Sequence, residues 1–458
     1  MGNQQSSNLP VYYNADPTNE ATFHALSKYI DLASSQLGSK IVATSDEFFA
    51  PAKNLLKPTA PIKDSERTTD HGAWYDGWET RRHNPKHDWV IIKLAFPGII
   101  AGFDIDTAHF TGNHAPVASV DACFVDDTTA KSPDYQWEEL LPKVELGPSS
   151  RHLLALWNPP TTPVNYVRLN IYPDGGVARF RVYGTVKPNW SQQASASQLD
   201  LASVGNGGRA VACSNQYFST MSNLLLPGRG ATMKDGWETK RSRKPNHSDW
   251  VTVKLGATGY LDQAEIDTYQ FKGNYPQAAS LQACYSLLDN PDEDTDCFWF
   301  QVLSKSPLEA HQLHYFNLDL ADQPFTHVRL NIYPDGGIKR LRIRGRRCTE
   351  EEIKNRKAAP TGASNAMAVE SSVSAVKEAT IESTTMVETI TTASISSRAS
   401  TPMATVLVNG QAAVKNARVR DDDDADALRA ESSAMTATPK RSRKTKSRQP
   451  SVSKGAAL

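Results

Sequence analysis

The sequence predicts an all-β chain, two tandem jelly-roll β-sandwiches followed by a tail without fixed structure. Three observations predict it. Long stretches recur in the same order about 160 residues apart, too far for a solenoid or propeller unit. Apolar and polar residues alternate through both copies, the period of a strand with one buried face. Phe, Trp and Tyr stop near residue 350, beyond which Ser, Thr, Ala and charged residues dominate.

The repeat sets the domain plan. Asp31-Leu-Ala-Ser returns at Asp200, and Asn54-Leu-Leu-Lys-Pro returns as Asn223-Leu-Leu-Leu-Pro. Asp76-Gly-Trp-Glu-Thr returns at Asp235, Asp88-Trp-Val at Asp249, Ile105-Asp-Thr at Ile266 and Gly112-Asn at Gly273. Val167-Arg-Leu-Asn-Ile-Tyr-Pro-Asp-Gly-Gly returns unbroken at Val328. These matches divide the chain into an N-terminal extension (1–19), a first repeat (20–186), a linker (187–197), a second repeat (198–350) and a tail (351–458).

Taken in order, the first element is an amphipathic helix over Thr18–Leu32, with Phe23, Leu26 and Ile30 on one face. The Asp76 loop follows, then strands. Val251, Val253 and Leu255 alternate with Thr252 and Lys254. Val167, Leu169 and Ile171 point inward while Arg168, Asn170 and Tyr172 point outward, and Val328, Leu330 and Ile332 repeat this against Arg329, Asn331 and Tyr333. Pro173-Asp-Gly-Gly and Pro334-Asp-Gly-Gly end these strands, because their glycines accept positive φ. A second alternating strand follows each, with Phe180 and Val182, or Leu341 and Ile343, facing the core. Short strands between Gly, Pro and Asn turns read as a sandwich or jelly roll. The tail cannot bury enough apolar surface to offset the entropy of ordering. Its acidic run from Asp421 and basic run from Lys440 read as solvated charge.

Composition excludes several classes of function. Fifty Lys and Arg balance fifty Asp and Glu, so no global field favours nucleic acid or an anionic membrane. The five cysteines have neither metal-ligand spacing nor even number, which fits reduced thiols. No apolar run approaches the roughly 20 residues of a membrane helix, and the start lacks a secretory core. A cytoplasmic address is expected; the final Gly455-Ala-Ala-Leu is not a peroxisomal signal.

Two polar clusters could carry chemistry, and Ile105-Asp-Thr with Gly112-Asn supplies a third set whose glycine reads as a turn rather than a contact. In the loop Asp76-Gly-Trp-Glu-Thr-Arg-Arg-His-Asn-Pro-Lys-His-Asp, carboxylates and imidazole could act as acid and base while paired cations hold a carboxylate. The competing reading has Asp76 and Glu79 ordering the loop, since duplication preserves folding residues as readily as working ones. A divalent ion at His83, His87 and Asp88 is the weaker reading, because Ser242 or Arg243 falls near the position of His83 in the second copy. The other cluster is the outward row Arg168, Asn170 and Tyr172, which suits a small polar acid. Its competing reading is an ion-paired outer face.

At these residues the chain closely resembles the allantoicase family, which hydrolyses allantoate to ureidoglycolate and urea in purine (allantoin) breakdown. The resemblance covers about residues 20 to 350 and rests on the doubled DGWET, IDT, GN and VRLNIYPDGG segments. It implies two jelly rolls of the galactose-binding-domain type and leaves homo-oligomeric assembly open. It implies allantoate as the partner, with no cofactor that the sequence shows. Arg81, Arg82 and Arg168 become candidates for a carboxylate clamp, Asn170 and Tyr172 for ureido contacts, and Asp76, Glu79 and His87 for acid–base work. Their counterparts are Arg241, Arg329, Asn331, Tyr333, Asp235, Glu238 and His247, and which copy hosts the site is open. Fold alone would equally suit a non-catalytic carbohydrate- or small-ligand-binding protein.

Overall fold

The computed structural model describes residues 12–14, 26, 28–126, 135–190 and 197–358. The expected extension, linker and tail fall wholly or largely outside these, as do most of the residues expected to form the first helix.

Each repeat is built around one 19-residue strand, Asp88–Asp106 in the first and Asp249–Asp267 in the second. Such a strand is long enough to serve two layers. Its first half pairs with Lys40–Thr44 on one side and Val164–Tyr172 on the other, and Val117–Cys123 and Glu138–Glu145 extend that layer. Its second half pairs with Arg179–Val186 and Arg151–Leu156, which carry Ile30–Asp31 and Tyr12–Asn14 at the edges. The change of layer falls at Ala95-Phe96-Pro97-Gly98, where the pairing registers shift and a proline removes a ladder donor. The second repeat follows the same order with Arg209–Cys213, Pro324–Tyr333, Ala278–Cys284 and Phe300–Pro307 in one layer. Leu199–Asp200, Arg340–Arg347 and Leu313–Asn317 complete its other layer. Both repeats are therefore all-β jelly-roll sandwiches.

The alternation in the sequence is what fills the space between layers. Val90, Ile92, Val167, Leu169, Ile171, Ile100, Phe103, Phe180 and Val182 are all fully buried in one core, and the corresponding residues of the second repeat join it. Trp78 and Trp237, from the two copies of DGWET, are also completely buried. Truncating either to Ala would cost about 3–5 kcal/mol.

Two expectations are corrected. Ile30–Asp31, the end of the expected helix, form a short strand paired with Tyr183–Gly184. That edge position is enforced by the Asp31 carboxylate, which accepts from the Val182 N–H and pairs with Arg181. Residues 350–358, largely assigned to the unstructured tail, form the helix Glu350–Ala358. Its start is a reciprocal cap: Glu352 N–H donates to Thr349 Oγ1, and Thr349 N–H donates to the Glu352 carboxylate. Arg346 adds an ion pair to Glu352.

Candidate active site

The three repeated loop motifs, distant in sequence, meet at one end of each sandwich. Asp76 comes first, and its carboxylate is locked. It accepts from Lys57 Nζ and Arg179 Nη2, each at 2.6 Å, and from the Ile62 N–H at 3.1 Å. Burial works to raise the Asp76 pKa, but the hydrogen bonds from Lys57 and Arg179 outweigh it and hold the group below its ordinary value. Gly77 is required by space, since a Cβ there would sit 2.6 Å from the Val177 carbonyl oxygen. Trp78 fills the core and donates its indole N–H to the Asp46 backbone carbonyl.

Glu79 is then fixed by a two-residue ribbon in which Trp78 and Glu79 pair with Val177 and Gly176, directly after the Pro173-Asp-Gly-Gly turn. Gly175 has φ of 130°, and a Cβ on it would meet the backbone of His114 and Ala115 at 2.7–2.8 Å. Only glycine lets the turn press against the Gly112-Asn loop. The contact is sealed by Gly176 N–H donating to the Asn113 carbonyl and Ala115 N–H donating to the Gly176 carbonyl. Asn113 Nδ2, so placed, donates to Glu79 Oε1 at 2.7 Å.

These loops line an open-mouthed cavity of about 240 Å³ whose wall includes Glu79, Thr80, Arg82, Asn113, His114 and Asp174. That is smaller than the roughly 300–1,000 Å³ of sites for drug-sized ligands, a size for a small metabolite. Burial pushes the Glu79 pKa above its ordinary value, more than the Asn113 hydrogen bond and the Arg82 charge pull it down. A carboxyl group whose pKa burial raises, set beside a guanidinium, joins a proton donor to a cation that can anchor an anion.

The second repeat rebuilds much of this. Glu238 pairs with Gly337, and Asn274 Nδ2 donates to Glu238 Oε1 at 2.5 Å. Asp235 accepts from the N–H groups of Ala231 and Thr232 and is ion-paired with buried Lys339. Differences lie in the wall. Tyr275 stands where His114 stands in the first repeat, and the Met233 sulfur lies 3.3 Å from Asn274 Nδ2.

The remaining sequence candidates lie elsewhere. Arg81 points to Asp46 at 2.9 Å with 67% of its side chain exposed, leaving Arg82 as the guanidinium at the cavity. Its counterpart Arg241 is exposed. Arg168, Asn170 and Tyr172 form a continuous row in which Arg168 and Tyr172 are engaged within the fold, while Asn170 is buried and its Oδ1 meets no hydrogen-bond partner. Arg168 donates twice to Asp121 and lies over Trp137 at 4.7 Å. Asn170 donates to Asp121 and Ser119, and Tyr172 shares a 3.0 Å hydrogen bond with Ser119. In the second repeat Arg329 pairs with Asp292 and is sandwiched by Trp250 and Trp299 at 4.5 and 4.3 Å. Asn331 donates to Gln282, and Tyr333 shares a hydrogen bond with Ser280.

The two histidines are not structural equivalents. His87 packs on the Tyr172 ring, whereas His247 lies 3.3 Å from Asp249. Asp88 already accepts from Ser45 and Asn84, and His83 is exposed with φ of 68°. Among the described residues no three or more His, Cys, Asp or Glu side chains converge as a metal site. No helix among them is long and apolar enough to cross a membrane.

Of the polar residues on the cavity wall, Thr80, His114 and Asp174 were not singled out from the sequence as site residues. Thr80 and Asp174 sat inside repeated motifs without being taken for the site, whereas Asn113 belonged to the third candidate set, of which only the glycine read as a turn. His114 carried no signal, because the repeat breaks there.

Comparisons with known proteins agree with this architecture. The family model for the allantoicase repeat matches twice, over residues 30–187 and 199–348. The probable allantoicase of Schizosaccharomyces pombe is 49% identical over 325 residues, 69% of this chain and 93% of that one. The allantoicase of Neurospora crassa is 48% identical over 328 residues, 70% and 92% of the two chains. The crystal structure of allantoicase from Saccharomyces cerevisiae superposes with a TM-score of 0.64 at 40% identity, covering 73% of this chain and 99% of that one. With the doubled family match, full-length relatives and a shared fold, the chain belongs to the allantoicase family.

Proposed function

We propose that this chain hydrolyses allantoate to ureidoglycolate and urea, a step of purine breakdown, and does so in the Glu79 cavity of the first repeat. The observation that carries the assignment is the convergence of three separate motifs on one buried carboxyl group with a raised pKa, in a cavity walled by a guanidinium.

Allantoate bears one carboxylate and two ureido groups on a single carbon. Arg82 supplies the charge for the carboxylate, and it can do so because Arg81, not Arg82, is taken by Asp46. Glu79 supplies the proton that the departing ureido nitrogen needs, since urea leaves neutral. Asn113 holds Glu79 through Oε1, fixing the direction in which the carboxyl group presents its proton. The new Cα–O bond comes from water, so allantoate and water give ureidoglycolate and urea with no other reactant. Asp76 and Arg168 serve the scaffold: each is ion-paired with partners from the same fold.

Urea release from allantoate by Glu79→Gln and Glu238→Gln, purified separately, tests the assignment. The expected result is a loss in kcat of at least about 100-fold for Glu79→Gln, the usual size of a general acid–base contribution. The loss for Glu238→Gln should be at least tenfold smaller. Full activity in Glu79→Gln would sink the assignment.

A further inference from the structure

The hydrolysis needs two proton-handling groups, one for the departing nitrogen and one for the attacking water, and Glu79 fills only the first place. Asp76 is bound by Lys57 and Arg179, and His87 packs on Tyr172. The charged groups on the cavity wall besides Glu79 are Arg82 and Asp174. Asp174 accepts the Asn84 N–H at 3.1 Å and so orders the loop that carries Arg82. The remaining titratable group on the wall is His114.

His114 follows Asn113, the residue that grips Glu79, and its backbone is pinned by a bridge to Gly176 and by the close approach of Gly175. The imidazole is half-buried. Its Nδ1 is buried and meets no hydrogen-bond partner, although buried polar atoms in folded proteins are nearly always paired. With Nδ1 screened from solvent inside the fold, it is the rest of the half-buried side chain that His114 offers to the cavity it helps to line.

Resting on the assignment of the Glu79 cavity, we propose that His114 is a catalytic residue of the reaction, the base that takes a proton from the attacking water. As the Cα–N bond breaks, its electron pair stays on the departing nitrogen, which takes the Glu79 proton. Water oxygen forms the Cα–O bond and gives one proton to His114. The imidazolium and the carboxylate return to their starting forms by proton exchange with solvent. The same residue explains a division of labour between the repeats. The second repeat keeps the glutamate and the asparagine but has Tyr275 at this position, and a neutral phenol is a poor base at neutral pH. The first repeat turns substrate over, and the second does not.

His114→Asn and His114→Tyr in the full-length chain test this. Tyrosine is the residue that the equivalent backbone of the second repeat already accommodates, so it guards against a mere failure to fold. Both should lower kcat by at least about 100-fold. KM should stay within about threefold, and the acidic limb of the kcat–pH profile, where a base becomes protonated, should disappear. Loss of kcat in Glu79→Gln with kcat in either His114 variant within about threefold of wild type would overturn the role of His114 and leave the cavity assignment standing. Activity retained in Glu79→Gln would overturn the cavity assignment itself. A rise in KM with unchanged kcat in the His114 variants would make the residue a binding group and refute it as the base.

Discussion

Asp76→Asn separates a scaffold carboxylate from a catalytic one. Asp76 looks catalytic in sequence, repeated with its neighbours and set beside Glu79, yet its surroundings predict a stability phenotype. Arg179, its partner, is 1% exposed. Its guanidinium donates to the carbonyls of Thr59, Ala60, Asp76 and Ala178, and its only carboxylate partner among the described residues is Asp76, at 2.6 Å. Asparagine keeps the volume but removes the counter-charge and one of the two acceptors, leaving a buried cation with neutral partners. Breaking a buried pair in this way costs about 3–5 kcal/mol. The Lys57 contribution is small because that side chain is 40% exposed. For a domain of this size, 3–5 kcal/mol lowers Tm by roughly 6–20 °C. Acid dependence gives a further signature. The Asp76 pKa is depressed in the folded state, so its stabilisation is complete above the unfolded pKa of about 3.9 and is lost as pH falls through the lower folded value. Asp76→Asn should lose that part of the acid transition. Thermal unfolding at pH 7 and below pH 4, alongside urea-release kinetics on the folded fraction, reads both effects. A variant with Tm within about 2 °C of wild type and kcat down about 100-fold would refute the reasoning and make Asp76 part of the chemistry.

Two further outcomes follow from the same geometry. Because Glu79 donates its proton, it is competent while protonated, and its raised pKa extends that competence upward. The alkaline limb of kcat should therefore lie above the ordinary glutamate range and vanish in Glu79→Gln; a limb inside that range would contradict the buried-acid reading. Arg168→Ala and Arg329→Ala should lower Tm by several degrees while leaving KM for allantoate within about twofold, since each guanidinium is spent on an aspartate and on tryptophan faces. A tenfold rise in KM from either would return the outer row to substrate recognition.

Strand alternation was legible in the sequence because it has a local cause: a side chain on a pleated strand faces either the core or the outside. Val167, Leu169 and Ile171 announced their burial in this way, and all three are fully buried. The layer change within Asp88–Asp106 was less legible, since a continuous strand and a strand that bends between layers share the same period. Ile30–Asp31 was read as helix because Leu26 and Ile30 have helical spacing. The edge pairing with Tyr183–Gly184 overrides that spacing through a contact about 150 residues away, for which no local pattern exists. The partners of Asp76 and Arg168 were invisible for the same reason. Lys57, Arg179 and Asp121 are brought in by the topology, and each turns an apparently available charge into an occupied one.

Comparison of the two copies acts as a filter with a definite bias. Residues kept in both, such as Gly77 and Gly236, Trp78 and Trp237, or Gly175 and Gly336, are those without which the loops cannot close. Gly336 shows this for the second repeat, with φ of 133° and a Cβ that would lie 2.6 Å from the Asn274 carbonyl oxygen. A residue needed in one copy only is removed by the same filter. His83 was discounted because its counterpart differs, and the structure leaves it exposed at a positive φ. His114 differs too, yet it sits on the wall of the cavity with an unpaired buried nitrogen. Identity between copies therefore points to the scaffold that places Glu79 and Glu238 alike. If one repeat alone performs the hydrolysis, the residue that decides which must be sought among the differences within that shared scaffold, and His114 opposite Tyr275 is such a difference on the cavity wall.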